Sequence, residues 1–110
     1  MALSAPSEGF RVVVVGSANV DLEVRVPHWP DPGESVIAAA SQRFPGGKGA
    51  NQAVAAARAG GVATALVSAW GEDADGALLE AFVGEAGVDT SAVRTVDCPT
   101  GLAIVMVDPQ

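Results

Sequence analysis

Residues 45–59, PGGKGANQAVAAARA, decide the fold, because they take the chain from a stretch of strands into its first helix. After the paired glycines, the alanine-rich run favours helix from Lys48 to Ala59. One stripe of this helix is apolar and consists of Ala50, Ala53, Val54 and Ala57. Gly60 and Gly61 end the helix, since glycine readily leaves helical geometry. The stretch therefore predicts a helix of about three turns that buries one face.

The residues before this helix predict two kinds of strand. Arg11–Gly16 is a short β-branched run, typical of a strand that is buried on both faces. Val20–Val26 alternates apolar and charged residues, so one face should be dry and the other wet. A segment rich in turn residues follows, and Glu34–Phe44 is the predicted partner strand. We therefore expect the hairpin at residues 20–44 to form a small flap beside the main sheet, and residues 1–10 to form a frayed lead-in.

The residues after the first helix alternate between apolar runs and a second helix. Val62–Trp70 is predicted to be one buried strand. Asp73 or Asp75 can cap the next helix, because a short acidic side chain accepts hydrogen bonds from first-turn N–H groups. This helix has an apolar stripe and a glycine stop, formed by Leu78, Leu79, Phe82, Val83, Ala86 and Gly87. Two further strands are predicted at residues 92–96 and 101–107. Buried strands that alternate with helices predict an α/β fold with a parallel sheet.

The composition of the 110 residues limits the classes of protein. With 13 acidic and 6 basic residues the net charge is −7, and 49% of the residues are hydrophobic. This balance is that of one globular domain and disfavours a protein that binds nucleic acid. No apolar run approaches the ~20 residues that span a bilayer, so we expect a cytoplasmic protein with no membrane partner. The single cysteine, Cys98, can form neither an internal disulfide nor, alone, a zinc site.

The excess negative charge lies in the second half of the chain. Residues 1–60 hold five acids and five bases, whereas residues 61–110 hold eight acids and one base, Arg94. An anionic ligand, if the protein has one, should therefore approach the first half, where Lys48 lies. The alternative is that the acidic residues only form a solvated surface and have no role in ligand binding.

Two groups of residues are placed for ligand binding. Asn19 and Asp21 follow the first buried strand, where ligands of open α/β sheets bind, and on extended chain they share a face. Their donors and acceptors suit adjacent hydroxyl groups, as on a sugar, although local turn hydrogen bonds are an alternative. Lys48 and Asn51 lie three residues apart, hence on one face of the first helical turn. Gly47 lets the backbone of that turn approach a ligand closely.

Other motifs are incomplete or have a simpler explanation. Gly49 stands where a P-loop requires Ser or Thr, so the stretch is not a P-loop. G-x-G-x-x-G is absent after the first strand, which disfavours a dinucleotide-binding domain. Glu72, Asp73 and Asp75 suggest a metal site, but a helix cap with acids favoured by the helix dipole explains them more simply.

Several motifs together resemble the amino-terminal part of ribokinases, which are members of the PfkB family of carbohydrate and nucleoside kinases. They are GSANVD at 16–21, PGE at 32–34, PGGKGANQAV at 45–54, GED at 71–73 and TGLA at 100–103. The resemblance covers nearly the whole chain from Arg11 onward. Its specificity comes from the glycine-rich stretch combined with the Asn-x-Asp upstream.

The resemblance implies a Rossmann-like α/β domain with a small β-sheet lid, made by the hairpin and a later strand pair. Such a lid closes over the sugar and serves as the interface of a homodimer. The residues that would bind the sugar hydroxyls are Asn19, Asp21, Gly47, Lys48 and Asn51, with Ala103 and Val105 as the pocket wall. The implied reaction is phosphorylation of ribose at its 5-hydroxyl by MgATP, and the family also implies a monovalent cation.

The catalytic residue that the resemblance implies is missing from these 110 residues. In the family the catalytic Asp lies in a Gly-Ala-Gly-Asp motif, which this sequence lacks. We therefore expect an amino-terminal portion, with the catalytic and ATP-binding part absent. General-base and oxyanion stabilisation each contribute about 10²–10⁴-fold in rate, so the chain alone should be inactive. Two alternatives stay open: a non-catalytic sugar-binding or lid-dimerising module, and a PfkB-family kinase for another sugar.

Overall fold

The computed structural model describes residues 12–109, so the predicted lead-in at residues 1–10, as well as Arg11, lies outside the described residues. Two helices separate runs of two or three strands along the chain, some of the strands pair in parallel, and the predicted α/β class is confirmed. The elements are β1 (Val12–Val15), β2 (Asn19–Arg25), β3 (Ala40–Gly46), α1 (Lys48–Gly60), β4 (Thr64–Val67), β5 (Ala69–Gly71), α2 (Ala74–Glu85), β6 (Arg94–Val96) and β7 (Leu102–Val107).

The body of the fold is built from two parallel strand pairs and the two helices. β1 pairs with β4 from Val12↔Thr64 to Val15↔Val67, and β5 pairs with β6. Parallel neighbours require a crossover connection, and α1 lies within the one that joins β1 to β4. Apolar side chains from both helices and from β4 and β5 form a single core, which includes Ala50, Ala53, Val54, Leu66, Trp70, Leu79 and Val83.

Both helices lie where the sequence predicts them. α1 ends at Gly60, and Gly61 adopts the left-handed conformation at φ 59°. α2 begins after Asp73, whose side chain accepts a hydrogen bond from the Gly76 N–H at 2.8 Å. Asp73 rather than Asp75 is therefore the cap. Within residues 12–109, neither helix is long and apolar enough to cross a membrane.

A separate three-stranded sheet, which we call the lid sheet, consists of β3, β2 and β7 in that order. β2 and β3 are antiparallel, with Asn19 opposite Gly46, which confirms the predicted hairpin. On its other edge β2 pairs with β7 in parallel, from Val20↔Leu102 onward. Val20 is buried in the core near α2, but Leu22 and Val24, on the same face, are only half-buried, so the predicted dry face is confirmed only at the start of β2. β7 is the one later strand in this sheet within the described range, where the resemblance implied a pair.

Three strand predictions need correction. The strand predicted at 62–70 is two strands, because β4 pairs with β1 whereas β5 pairs with β6, and Ser68 separates them. β1 is not buried on both faces: Val13 is 53% and Val15 77% exposed, since no described element covers that side of the β1–β4 pair. The strand predicted at 92–96 begins at Arg94, because Val93 N–H closes a turn onto Thr90.

The partner strand in the hairpin is also shorter than predicted. β3 begins at Ala40 rather than Glu34. Glu34 is instead part of a turn, in which its N–H donates to the Asp31 carbonyl and its carboxylate accepts from the Asp31 N–H. His28 lies 2.9 Å from the same carboxylate, and these contacts lower the pKa of Glu34. These hydrogen bonds hold Glu34 in the turn that precedes β3, and not in the strand itself.

Candidate functional site

The site is built where the turn after β1 meets the start of α1. Two glycines allow this close approach: a Cβ on Gly49 would lie 2.5 Å from the Gly16 carbonyl carbon. Gly47 has φ 94°, a conformation that side-chain-bearing residues rarely adopt. The N–H of Ala50, in the first turn of α1, donates to the Ser17 carbonyl at 3.1 Å. The amino terminus of α1 is thereby fixed beside the residues that lead into β2.

Asn19 and Asp21 lie on one face at the start of β2, and a hydrogen bond joins them. The Asn19 side-chain amide donates to Oδ1 of Asp21 at 2.8 Å, and both residues are partly buried. The pair retains further donor and acceptor capacity, which adjacent hydroxyl groups could use. The close contact of Gly46 with Asp21 explains that glycine, since a Cβ there would lie 2.7 Å from Oδ2 of Asp21.

Gly47, Lys48 and Asn51 lie at the amino terminus of α1, next to this pair. A Cβ on Gly47 would lie 3.0 Å from the backbone N of Asn19, so the two predicted groups of residues are adjacent. The side chains of Lys48 and Asn51 are exposed, and the first turn contains no acidic residue. The helix dipole and Lys48 therefore both contribute positive potential at this edge.

Strand β7 supplies an apolar surface on the same face as Asp21. In the parallel register Ala103 is opposite Asp21 and Val105 is opposite Glu23, and residues in register share a face of the sheet. Both residues are exposed. The structure therefore brings Asn19, Asp21, Gly47 and Ala103 together, with Val105 one step farther along β7.

Sequence reasoning missed Phe44. This residue is opposite Asp21 on the β3 side, so its ring belongs to the same face, and it is 37% exposed. No motif in the sequence points to Phe44. The side of the sheet on which it lies follows only from the register of β3 on β2, in which Asn19 is opposite Gly46. Phe44, Asp21 and Ala103 form one row across the three strands.

Asp73, in the acidic cluster after β5, is occupied by structural hydrogen bonds. Asp73 accepts from the hydroxyl and the N–H of Thr100 and from the N–H of Gly76. These contacts, above all the Thr100 hydroxyl, lower the pKa of Asp73. The predicted cap is confirmed at Asp73. Between residues 12 and 109 no group of three or more His, Cys, Asp or Glu side chains could hold a metal ion.

Solved structures that match this architecture define its class. The chain superposes on Arabidopsis thaliana ribokinase complexed with ribose and ATP, with a TM-score of 0.82 and 42% identity over 90% of this chain and 32% of that one. It superposes on Thermotoga maritima ribokinase with a TM-score of 0.85 and 38% identity over 91% of this chain and 33% of that one. The fold is therefore that of the amino-terminal part of ribokinase-like kinases.

The sequence comparisons name the family. The pfkB family carbohydrate kinase model matches residues 10–110, and the chain belongs to this family. Haemophilus influenzae ribokinase is 40% identical over 97 residues, which cover 87% of this chain and 31% of that protein. Arabidopsis thaliana ribokinase is 43% identical over 99 residues, covering 87% and 26%. The chain thus spans about a third or less of the length of these relatives.

Proposed function

We propose that the chain is the sugar-binding portion of a ribokinase, an enzyme that transfers phosphate from MgATP to the 5-hydroxyl of ribose. The observation that carries this proposal is the Asn19–Asp21 pair, hydrogen-bonded at 2.8 Å and lying on the sheet face that also carries Phe44 and Ala103. A pentose has the matching surface: hydroxyl groups that bond to an amide and a carboxylate, and a C–H face that packs on apolar side chains. The ribose-complexed Arabidopsis relative supports this substrate class.

In the proposed mechanism these residues bind and orient the sugar. Asp21 accepts hydrogen bonds from sugar hydroxyls, Asn19 fixes the orientation of that carboxylate, and Gly47, Lys48 and Asn51 contribute from the amino terminus of α1. Correct positioning brings the 5-hydroxyl to the phosphate donor, and positioning can contribute a large part of the rate. The proton acceptor, the ATP site and any monovalent cation are assigned to no residue of this chain. For that reason we propose that these 110 residues alone do not phosphorylate ribose.

The partner proposed for the lid sheet is a second copy of the same protein. Leu102 and Ile104 are large apolar residues of β7, and they are 46% and 64% exposed. Exposed apolar side chains of this size on a small sheet favour a contact surface. This observation also favours the second candidate, a lid-dimerising or sugar-binding module without catalysis. A cytoplasmic location remains part of the proposal.

The substitution Asp21→Ala in the complete protein tests the proposed function. It should raise the KM for ribose, because each charge-assisted hydrogen bond that is lost costs about 1.5–3 kcal/mol, at least tenfold in affinity. The KM for ATP should change much less, since Asp21 is proposed to contact only the sugar. Steady-state kinetics with each substrate varied in turn gives both constants. An unchanged KM for ribose in a folded variant would remove Asp21 from the sugar site, and sugar binding without phosphorylation by the complete protein would favour the module.

A further inference from the structure

A compact hydrogen-bond network joins the start of α2 to the start of β7. Oδ1 of Asp73 accepts from the Thr100 hydroxyl at 2.6 Å and from the Gly76 N–H at 2.8 Å, while Oδ2 accepts from the Thr100 N–H at 2.9 Å. The Thr100 hydroxyl oxygen in turn accepts from the Gly71 N–H at 2.9 Å. Thr100 is only 6% exposed. Its hydroxyl and its N–H are therefore both held, within a buried setting, by α2 and the end of β5.

Two of these bonds have no part in capping the helix. An N-cap needs only the bond from Gly76, since that N–H belongs to the first turn of α2. The two bonds from Thr100 cross to a segment 27 residues away in the chain. Space at this point is also limited, because a Cβ on Gly71 would lie 2.7 Å from the Thr100 N. The position of Thr100 is thus fixed by bonding and by packing.

Thr100 leads directly into the strand that faces the candidate sugar site. The carbonyl of the next residue, Gly101, accepts from the Val20 N–H at 2.9 Å, and β7 begins at Leu102. Ala103 then lies opposite Asp21. Any shift of Thr100 along the strand would therefore move the apolar wall relative to the carboxylate that binds the sugar.

We propose that Asp73 is a positioning residue for the sugar site, acting through Thr100 to fix β7 against β2. The inference rests on the proposed function, because that function supplies the sugar. The placement of β7 against β2, however, can be measured in the absence of any sugar. It predicts that the two Thr100–Asp73 contacts matter for ribose and not for ATP.

Four variants of the complete protein test this role, with Asp75 as the matched control. Asp73→Asn leaves the Thr100 N–H facing an amide donor, and Thr100→Val removes the hydroxyl while keeping the shape of the side chain. Thr100→Ser keeps the hydroxyl. Asp75→Asn removes the same charge from the first turn of α2, where the carboxylate accepts from Arg43 Nε at 3.0 Å, and leaves the Thr100 contacts in place.

Two measurements are made on each variant: steady-state kinetics for ribose and ATP, and hydrogen exchange of the β7 amides. We expect Asp73→Asn and Thr100→Val to raise the KM for ribose by roughly tenfold, to leave the KM for ATP within about twofold, and to speed exchange in residues 102–107. Thr100→Ser and Asp75→Asn should stay within about twofold of the parent protein in both constants.

The two readouts separate this proposal from the proposed function. Unchanged exchange in β7 for Asp73→Asn and Thr100→Val would overturn the positioning role, whatever the substrate. An equal effect of Asp75→Asn would also overturn it, since charge alone would then explain the result. If the parent protein does not act on ribose, the proposed function fails, and the exchange data alone decide whether Asp73 fixes β7.

Discussion

Replacing Gly46 by Ala should weaken sugar binding through Asp21, although Gly46 itself has no side chain to contact a ligand. The three atoms nearest to a Cβ at this position all belong to the Asp21 carboxyl group, at 2.7 to 2.9 Å. The new methyl group would therefore displace first the carboxylate that we propose binds the sugar. Because the β2–β3 ladder pairs Gly46 with Asn19, the backbone on both sides is held in register while the carboxylate is pushed away.

The size of the effect follows from the distances. To reach an ordinary contact of 3.4 Å from 2.7 Å, Oδ2 must retreat by roughly 0.7 Å. Hydrogen bonds tolerate a spread of only about 0.5 Å in donor–acceptor distance, so a displacement of this size removes at least one bond to the carboxylate. One charge-assisted bond contributes about 1.5–3 kcal/mol, which is tenfold or more in affinity.

A double-mutant cycle separates this route from general damage. Ribose binding is measured by calorimetry for the complete parent protein, Gly46→Ala, Asp21→Ala and the double variant. With the carboxylate already removed, the second methyl group has nothing to displace, so its cost should fall below about 0.5 kcal/mol. If Gly46→Ala costs the same in both backgrounds, the methyl group acts on the β3 backbone and the reasoning is refuted.

Two further predictions concern stability. Gly49→Ala should lower the free energy of unfolding in urea by about 1–3 kcal/mol, because its Cβ would meet the backbone of Gly16. Gly84→Ala is the control and should be neutral or stabilising, since open space surrounds that position. Equal effects of the two substitutions would contradict the contact with Gly16. Ser91→Ala should raise the pKa of Asp89, which the Ser91 hydroxyl and then its N–H lower in the folded protein. A carboxyl group with a lowered pKa stabilises the folded protein at pH values above its ordinary pKa of about 3.9, and this stabilisation decreases at more acidic pH. The variant should therefore be less stable than the parent protein at pH 7 and nearly as stable at pH 2. NMR titration gives the pKa of Asp89 itself. A pKa of Asp89 that does not move would exclude the hydroxyl as the cause.

The local elements follow from the sequence because local chemistry specifies them. The alanine-rich run and Gly61 define α1, and Asp73 defines the start of α2. The alternation from residue 20 correctly places Val20 on the buried face of β2, although Leu22 and Val24 on the same face are only half-buried. In each case the signal and the structure it produces lie within a few residues of each other.

Features that depend on distant pairing could not be predicted in this way. The division of the predicted strand at Ser68 arises because β4 and β5 have different partners, and no residue near 68 carries that information. Phe44 belongs to the site only through the register of β3 on β2. The second role of Asp73 requires Thr100, 27 residues away. The sequence motif predicts Asn19 and Asp21 as ligand-binding residues, but the row that Asp21 forms with Phe44 and Ala103 is set by strand pairing.

The parallel pairing of β2 with β7 has a consequence for how the protein folds. β2 and β3 form a hairpin of local contacts, but Val20 and its partner Leu102 are about 80 residues apart, a separation that slows the formation of such contacts. During synthesis, the edge of β2 that pairs with β7 therefore stays unpaired until the chain has been made as far as residues 102–107. An open strand edge is a template for intermolecular pairing. Aggregation should be most severe for chains that end shortly before residue 102, and the step that completes the lid sheet should be the slowest in refolding.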